Sequence, residues 1–335
     1  MSEINSMCTL CDAPHPVDTG ERHVDSGTEY TLWRCDACGA KFWTPFRNPG
    51  AEWYERDPRY SDANSNPPLD PTPHHRDTIS YLKKHANAGV VLDVGCGTGN
   101  FLNHARKNGW TCYGFDFDSN AVQAAHSAFG LTNIELSNFE KYIADHPELL
   151  NSCDLVTFFD VFEHIDDHRD FVGRVSSLLR DGGHLALTVP FGDSLKFLQP
   201  NDLPPRHLTR WTVPALSAFF ERHGYDVVVA NAIPAELDYI LMKLRFKYGK
   251  AFSFGAVRKA QAVVAGSAAA SVEGKAKAAA SPMVRAVRIA AKIKDSILFG
   301  VPAVAVWGAL HFSKRRYNGI HVIARKRATN HVGEN

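Results

Sequence analysis

The sequence has no apolar segment near its beginning and no cysteine pattern typical of a disulfide scaffold. The first twenty residues are polar and include two cysteines, so we expect no secretory signal peptide. The seven cysteines form two close pairs and three single residues, which favours a metal site in a reducing compartment. With 44% apolar and 22% charged residues, the 335-residue chain has an ordinary globular composition. We therefore expect a cytoplasmic protein.

The sequence also lacks an overall excess of charge, but its charges are unevenly distributed. Between Leu241 and Arg316 there are 15 Lys and Arg residues and two acids, whereas the rest of the chain has 22 basic and 34 acidic residues. This split indicates that one segment meets an anionic surface. Nucleic acid is the less favoured partner, because residues 1–240 are net negative and RNA-binding proteins usually present a basic surface.

Two cysteine pairs near the start of the chain have the spacing of a metal site. Two residues separate Cys8 from Cys11 and Cys35 from Cys38, and 23 residues lie between the pairs. Four thiolates can bind one zinc ion tetrahedrally, and such a site has no open position for catalysis. The pattern predicts a zinc-ribbon-like domain with a structural zinc ion, and reduced cysteines in a loop are the alternative.

A dinucleotide-binding fingerprint is absent from the segment Val90–Leu102, because Asn100 stands where the third glycine is required. The segment instead predicts an apolar strand that ends in Asp93, a glycine turn and the start of an amphipathic helix. Glycines in such a turn let a ligand approach the backbone closely. The turn contains Gly95, Gly97 and Gly99.

Strands and helices alternate after this turn, which predicts a parallel α/β sheet. Asp116 ends the second strand 21 residues after Gly95, near the offset at which an acid binds the hydroxyls of a ribose. Asn138 follows the third strand, where an adenine amino group would bind. The strands predicted after the first are Trp110–Phe115, Ile134–Leu136, Cys153–Phe159, His184–Val189, Tyr225–Ala230 and, after a long interval, Asn318–Lys326.

Residues 30–230 resemble class I S-adenosylmethionine (SAM) methyltransferases of the methyltransferase-23 group, which often act on sugars and glycans. The resemblance lies in WRCDACGAKF, LDVGCGTGNF, GFDFD, DVFEHIDD, HLALTVP and HLTRWT, although Asn138 replaces an acid of the family. It implies a Rossmann-like, doubly wound sheet of seven strands whose last strand is antiparallel. SAM is the implied co-substrate. The predicted SAM-binding residues are Asp93, Gly95, Cys96, Gly97, Gly99, Asp116, Phe117, Asn138, Phe139 and Asp160.

Three residues are candidates for the catalytic chemistry. A hydroxyl acceptor must lose its proton during methyl transfer, and histidine is the natural base near neutral pH. His164 follows the fourth strand at the edge of the sheet where ligands bind, and Glu163 could orient it or contact the substrate. His207 is a second candidate base. Simple packing near the cofactor is the alternative role of His164.

The predicted organisation places a basic segment between the sixth and last strands. Its uncharged run Ser296–Ser313 is at the lower length limit of a membrane span and has basic residues at both ends. We expect a re-entrant or interfacial hairpin on an anionic membrane, with a homodimer interface and RNA contact as alternatives. The predicted parts are a ribbon (1–48), a linker (49–73), a core (74–236), the basic insertion (237–316), the final strand (317–328) and a tail (329–335).

The function that the sequence favours is methyl transfer from SAM to a saccharide-type acceptor: a glycan, a sugar nucleotide or a lipid-linked saccharide. The enzyme would act in the cytoplasm, on the inner face of the cell membrane. Two other classes are retained. One is an RNA methyltransferase that uses the ribbon for recognition, and the other is a non-catalytic, SAM-binding scaffold protein.

Overall fold

The structure is a computed structural model that describes residues 7–50, 53–54, 70–194, 202–252, 296–313 and 316–328. The chain divides into two compact units. The first comprises Met1–Asp193, Asn201–Ile233 and Gly319–Asn335, and the second comprises Ser194–Pro200 and Pro234–Asn318. The predicted tail, most of the predicted linker and a large part of the basic insertion lie outside the described residues.

A four-stranded antiparallel sheet forms the N-terminal part of the first unit. Strands β1 (Val17–Asp25), β2 (Thr28–Arg34) and β3 (Lys41–Thr44) follow one another along the chain and pair in that order. The fourth strand, β9 (Thr209–Arg210), comes from much later in the sequence and pairs with β3, so that Phe42 lies opposite Thr209. The ribbon-like sheet is therefore completed by a segment of the core.

A seven-stranded sheet forms the centre of the first unit. Its order is β10-β11-β8-β7-β4-β5-β6, and β11 pairs antiparallel with β8 whereas β4 to β8 pair in parallel. This confirms the predicted Rossmann-like sheet and its antiparallel last strand. The strands are β4 (Val90–Val94), β5 (Thr111–Asp116), β6 (Ile134–Leu136), β7 (Cys153–Phe159), β8 (Leu179–Pro190), β10 (Tyr225–Pro234) and β11 (Tyr317–Lys326).

Within the described residues, six helices of the first unit are connected to these strands, and polar residues fix where several of them begin. The Thr72, Asp118 and Asp167 side chains accept backbone hydrogen bonds at the first turns of their helices, which satisfies donors that have no partner within the helix. The helices are α1 (Pro73–His85), α2 (Asn100–Lys107), α3 (Ser119–Phe129), α4 (Phe139–Asp145), α5 (His168–Leu178) and α6 (Val213–Arg222). Short 3₁₀ turns cover Pro147–Leu149 and Phe162–His164.

The core of the first unit lies on both faces of the seven-stranded sheet. Successive side chains of a strand point to opposite faces, so Val91 belongs to one buried cluster and Leu92 to the other. The same alternation separates Leu155 from Val156 on β7. Strands that are apolar on both faces are typical of a parallel sheet covered by helices on each side, and such a sheet presents its ligand site at the carboxyl ends of its strands.

The described part of the second unit is helical. It contains α7 (Leu237–Phe252), a π-helical turn (Ser296–Gly300) and α8 (Val301–His311). These elements share a small apolar cluster of buried residues: Ala235, Ile240, Leu244, Phe299, Ala303 and Leu310. Within the described ranges, no helix combines the length and the apolar character that a membrane crossing requires.

One face of α8 presents apolar side chains outward. Val301 is 66% exposed, Val304 54%, Trp307 42% and, just beyond the helix, Phe312 is 93% exposed. Ala303 and Leu310 on the opposite side are buried, which accounts for the shared cluster with α7.

Candidate active site

A cavity of about 390 Å³ lies where four parallel strands of the central sheet end. Its volume is in the range of small-molecule sites. Each strand contributes residues at its carboxyl end, the edge at which open α/β sheets bind ligands. These residues are Val94 and Gly95 after β4, Asp116 and Phe117 after β5, Ser137 and Asn138 after β6, and Phe159 and Asp160 after β7.

The glycine turn after β4 has a backbone conformation that other residues would strain. Gly95 has a φ of +67°, and a Cβ there would lie 2.7 Å from Cγ2 of Val161. Gly99 precedes α2 with a φ of +75°, and a Cβ there would lie 2.7 Å from Cδ1 of Leu131. Glycine at positions 95 and 99 therefore keeps the turn tight. The backbone of Gly95 and Gly97 borders the cavity.

The carboxylate of Asp116 is fixed by the backbone around it. Its Oδ2 accepts the N–H of Gly97 at 2.8 Å, and its Oδ1 accepts the N–H of Asp118 at 2.9 Å. Burial raises the pKa of Asp116, although these hydrogen bonds oppose the shift. A carboxylate held at this edge of the cavity is placed to accept hydrogen bonds from a ribose.

Asp93 occupies a different environment at the end of β4. It is 3% exposed, and its Oδ1 accepts a hydrogen bond from Oγ1 of Thr157 at 2.6 Å. Burial raises the pKa of Asp93 to about 7, and the nearby Asp116 adds to the shift. Asp93 does not line the cavity and lies behind the glycine turn.

His164 lines the cavity at the end of the 3₁₀ turn that follows β7. Its Nδ1 lies 2.6 Å from the carbonyl oxygen of Arg206, so Nδ1 carries the proton and donates it, and Nε2 is an acceptor. Burial lowers the pKa of His164 well below its ordinary value, and the neighbouring His207 adds to the shift. A neutral imidazole is expected here at physiological pH.

Glu163 and His207 lie beside His164 but are not among the residues that line the cavity. The His164 and His207 ring centroids are 4.8 Å apart, and Nε2 of His207 is 3.9 Å from Oε1 of Glu163. Glu163 is 1% exposed, and burial raises its pKa well above the ordinary value. One ligand atom from each of these three side chains lies within 4.8 Å of the others. The structure thus brings together the three predicted catalytic residues.

The central part of the chain matches a known family. Residues 73–230 match the family model Methyltransf_23, described as a methyltransferase domain. The matched stretch contains the glycine turn, Asp116 and the Glu163–His164 pair described above. This stretch is therefore similar to the methyltransferase domain that the family model describes.

Curated proteins resemble this methyltransferase domain over part of their length. A ubiquinone biosynthesis O-methyltransferase of Vibrio parahaemolyticus is 25% identical over 144 residues, which cover 42% of this chain and 58% of that protein. A probable S-adenosylmethionine-dependent methyltransferase of Mycolicibacterium smegmatis is 28% identical over 155 residues, which cover 44% of this chain and 58% of that protein. The chain thus spans less than two thirds of these relatives.

Solved structures also resemble the chain. A SAM-dependent methyltransferase from Archaeoglobus fulgidus superposes with a TM-score of 0.45 at 18% identity, covering 75% of this chain and 94% of that chain. A SAM-dependent methyltransferase from Geobacter sulfurreducens, solved with S-adenosyl-L-homocysteine, has a TM-score of 0.44 at 16% identity, covering 81% of this chain and 99% of that chain.

The predicted SAM-binding residues of the methyltransferase domain fall into two groups. The residues that line the cavity are Gly95, Gly97, Asp116, Phe117, Asn138, Phe139 and Asp160. Asp93, Cys96 and Gly99 do not line it and support the turn from behind or from its end. Asn138 also accepts the N–H of Lys141 and begins α4, so its side-chain oxygen has a structural role. Their roles toward SAM stay predictions.

Asn48 and Tyr54 are among the cavity residues that were not predicted from the sequence. The Asn48 side chain donates to the His164 carbonyl at 2.7 Å, and its backbone N–H donates to Oδ2 of Asp166 at 2.8 Å. Tyr54 is 5% exposed, and its ring lies 5.4 Å from that of Phe117. Its presence among aromatic residues of the linker was the available signal, but no motif linked it to the site.

The four paired cysteines meet within the N-terminal part of the chain. Sγ of Cys8 lies 3.9 Å from Sγ of Cys38, and Sγ of Cys11 lies 3.6 Å from Sγ of Cys35. Zinc–sulfur bonds of about 2.3 Å in a tetrahedron place neighbouring sulfurs about 3.8 Å apart, so this donor set fits zinc. The hydrogen bond with Cys8 lowers the pKa of Cys38 to about 5, which makes a thiolate available there.

Proposed function

We propose that this chain transfers a methyl group from SAM to a hydroxyl of a saccharide-type acceptor. The observation that carries the proposal is the division of the site between two kinds of chemistry. On one side, Asp116 and the glycine turn supply a carboxylate and close backbone for an adenosine and an amino acid moiety. On the other, His164 lines the same cavity, with Glu163 and His207 beside it, and these side chains can exchange hydrogen bonds with a hydroxyl group.

Several observations support an oxygen acceptor. Burial raises the pKa of Glu163, which favours a carboxyl group that can donate, and lowers the pKa of His164, which favours a neutral ring that accepts at Nε2. A hydroxyl is both donor and acceptor and can satisfy groups of both kinds. The similar Vibrio protein is named as an O-methyltransferase. The saccharide class rests on the resemblance to sugar and glycan methyltransferases.

The chain's own residues would catalyse the reaction by positioning and by proton removal. Bound SAM supplies an electrophilic methyl group on its sulfonium sulfur. Asp116 would hold the ribose and the turn around Gly97 the amino acid moiety, so that the methyl group faces His164. The acceptor oxygen forms its bond to carbon as the carbon–sulfur bond breaks, and its proton passes to an imidazole. Collinear positioning contributes much of the rate.

Transfer of label from tritiated methyl-SAM into separated glycan, lipid and RNA fractions tests the proposal. We expect label in a saccharide-containing fraction, and we expect Asp116→Ala to reduce it at subsaturating SAM. Label only in RNA would support an RNA methyltransferase and contradict the proposal. SAM binding by calorimetry without label in any fraction would support the scaffold role instead.

We also propose that the four cysteines hold one structural zinc ion. The sulfur–sulfur distances of 3.6 and 3.9 Å support this, as does the arrangement of all four ligand atoms within 4.8 Å of one another. A four-sulfur site leaves no position for substrate. The zinc ion would therefore stabilise the ribbon sheet rather than take part in methyl transfer.

A third proposal is that the second unit docks on an anionic membrane, where the acceptor would be lipid-linked. The exposed apolar face of α8, with Trp307 and Phe312, is suited to insertion into the interfacial layer. The sequence from Leu241 to Arg316 has 15 basic residues and two acids, and each basic residue near an anionic surface contributes about 1 kcal/mol. The two contributions reinforce each other.

Flotation with anionic vesicles at low salt tests the docking. The protein should float, detach partly in high salt, and lose binding when Val301, Val304, Trp307 and Phe312 are all replaced by serine. Leu136→Ser is the matched control, because Leu136 is a 56% exposed apolar residue of the first unit. Protein that stays at the bottom contradicts docking. A dimer that the fourfold variant dissociates would then assign the face to a second copy of the chain.

A further inference from the structure

We propose that His207 takes the proton from the acceptor hydroxyl, and that Asp202 and Arg210 are positioning residues that hold His207 for this step. This inference rests on the proposed function, since it concerns the acceptor side of the same site. The proposed base is thus His207, whereas the sequence favours His164 because of its position after the fourth strand.

His207 has a carboxylate partner on the side away from Glu163. Its Nδ1 lies 3.0 Å from Oδ1 of Asp202, and both side chains are largely buried. A carboxylate only accepts hydrogen bonds, so Nδ1 of His207 must carry the proton. Nε2 is then the acceptor in the neutral ring and faces the Glu163 carboxyl group at 3.9 Å. An acid that fixes the tautomer and stabilises the imidazolium is the arrangement of a catalytic triad.

Asp202 is itself held in an ionised state. Burial would raise its pKa, but the hydrogen bond to His207 and the charge of Arg210 outweigh burial, and the pKa of Asp202 is lowered. Nε of Arg210 donates to Oδ2 of Asp202 at 2.8 Å, and Nη2 donates to the Asp202 backbone carbonyl at 2.9 Å. This double contact leaves Oδ1 directed at the imidazole.

Arg210 is anchored in turn by the ribbon-like sheet. Its guanidinium lies 5.2 Å from the ring centroid of Trp43, and Nη1 lies 3.3 Å from Oε1 of Glu21. Arg210 is also a residue of β9, which pairs with β3. The chain of contacts therefore runs from the ribbon through Arg210 and Asp202 to His207.

His164 lacks such support. Its Nδ1 faces the carbonyl of Arg206 at 2.6 Å and the hydroxyl of Tyr54 at 3.3 Å, neither of which carries a negative charge. Taking up a proton there would place a cation next to His207 in a buried site, at a high electrostatic cost. We infer that His164 binds the acceptor as a neutral hydrogen-bond acceptor.

The polar atoms of Glu163, His164 and His207 lie close enough together to contact one acceptor oxygen. Three atoms that lie within 4.8 Å of one another can each be about 2.8 Å from a single central atom, which is a hydrogen-bonding distance. Within the described part of the chain, Oε2 of Glu163 has no hydrogen-bond partner although the residue is 1% exposed. A substrate hydroxyl would satisfy this group, which is costly to leave unpaired.

The residues of the site account for the proton that the acceptor loses. The acceptor oxygen loses its proton to Nε2 of His207 as it bonds to the methyl carbon, and the sulfur keeps the electrons of the broken carbon–sulfur bond. The imidazolium is paired with the Asp202 carboxylate. Because the side chain of His207 is 14% exposed, the proton can then leave to solvent.

Nitrogen-15 NMR of the histidine rings tests the tautomer without an acceptor, with His207→Gln used to assign the signals. We expect the neutral His207 ring to carry its proton on Nδ1, and Asp202→Ala to change that preference. A ring protonated on Nε2 in the unaltered protein would overturn the inference. This result does not depend on whether methyl transfer is detected.

The rate of methyl transfer to the fraction that takes up the tritium label tests the catalytic role of His207. We expect His207→Gln and Asp202→Asn to lower turnover by roughly 10²–10⁴-fold with SAM affinity unchanged, and Arg210→Gln to lower it less. Asp202→Glu, which keeps a carboxylate, should recover part of the activity that Asp202→Asn loses. The control Asp193→Asn removes an exposed carboxylate that pairs with Lys41 and should keep full turnover.

Three outcomes would overturn the role. One is a loss below threefold in both His207→Gln and Asp202→Asn, and another is a loss of SAM affinity in His207→Gln that accounts for its loss of turnover. The third is activity that EDTA removes and Mg²⁺ restores, because the cluster would then bind a metal ion. If the unaltered protein binds SAM and labels no fraction, the proposed function fails, and the NMR result still decides the state of His207.

Discussion

The backbone N–H of Gly97 donates a hydrogen bond to the carboxylate of Asp116 at 2.8 Å. The glycine turn after one strand thus fixes the acid that ends the neighbouring strand. Both residues border the cavity, so the two halves of the predicted cofactor site are joined before any ligand is present. Such preorganisation reduces the entropy lost on binding.

Removal of the Asp116 carboxylate should weaken SAM binding. We expect Asp116→Ala to cost roughly 1.5–3 kcal/mol, because a charge-assisted hydrogen bond to the ribose is lost. Asp226→Ala is a suitable control, since Asp226 is an exposed acid that pairs with Arg327. Calorimetry that gives the same dissociation constant for Asp116→Ala and the unaltered protein would remove Asp116 from the site.

The four cysteines should bind one equivalent of zinc. Metal analysis of freshly purified protein, never exposed to chelators, should give about one zinc ion per chain, and the double variant Cys35→Ser/Cys38→Ser should lose it. Cys112→Ser is the control, because this thiol lies outside the cluster and hydrogen-bonds to backbone carbonyls. Metal retained by the double variant would argue against the assignment.

Gly99 should tolerate a methyl group poorly. An added Cβ would lie 2.7 Å from Cδ1 of Leu131 and 3.0 Å from Cβ of Ala125, at a φ of +75°. We expect Gly99→Ala to lower the free energy of unfolding by roughly 2–4 kcal/mol, from backbone strain and overpacking together. Gly130→Ala has a φ of +60° and no atom within 4 Å, so it isolates the backbone strain and should cost about 1–2 kcal/mol. Equal losses would contradict the packing argument.

Buried histidines should make the fold sensitive to acid. Burial lowers the pKa of His321 to about 4 and that of His75 to about 3. Below pH 6.5 the unfolded chain therefore binds protons that the folded chain does not, so stability is lost as the pH falls from 6.5 toward these values. The raised pKa of Asp93, about 7, acts in the opposite direction between pH 4 and 7.

Thermal unfolding at pH 7 and pH 5 measures this effect. The free energy of unfolding should decrease less in His321→Gln than in the unaltered protein, by about 2 kcal/mol. The reason is that the variant lacks one buried histidine that takes up a proton on unfolding. A glutamine can keep a hydrogen bond to Oγ1 of Thr78, which lies 2.9 Å from Nε2 of His321. His15→Gln changes an exposed histidine and should leave the difference as it was. Equal decreases in His321→Gln and the unaltered protein would refute the linkage.

The sequence predicted the central sheet well because its signals are local. Cys153–Phe159 is a continuous apolar run with the length of a buried strand, and the structure has it with the same bounds. The two-residue strand Thr209–Arg210 was not predicted. It is too short for periodicity to appear, and its partner β3 is remote in sequence.

The cluster of Glu163, His164 and His207 shows the same limit. Glu163 and His164 are adjacent to a predicted strand, so their place at the sheet edge could be anticipated. The pairing of Asp202 with His207 depends on how a loop folds back, and the placement of Tyr54 depends on contacts with His164 and Phe117. Contacts of this kind leave no repeating pattern in a sequence.

The position of β9 limits how this chain could be recombined with others. The N-terminal segment with its four cysteines provides three strands, and the residues around Arg210 provide the fourth. A chimera that transferred only the first 48 residues to another methyltransferase would leave Phe42 without its partner Thr209. The two segments are therefore expected to be inherited or exchanged as a pair, although more than 150 residues of sequence separate them.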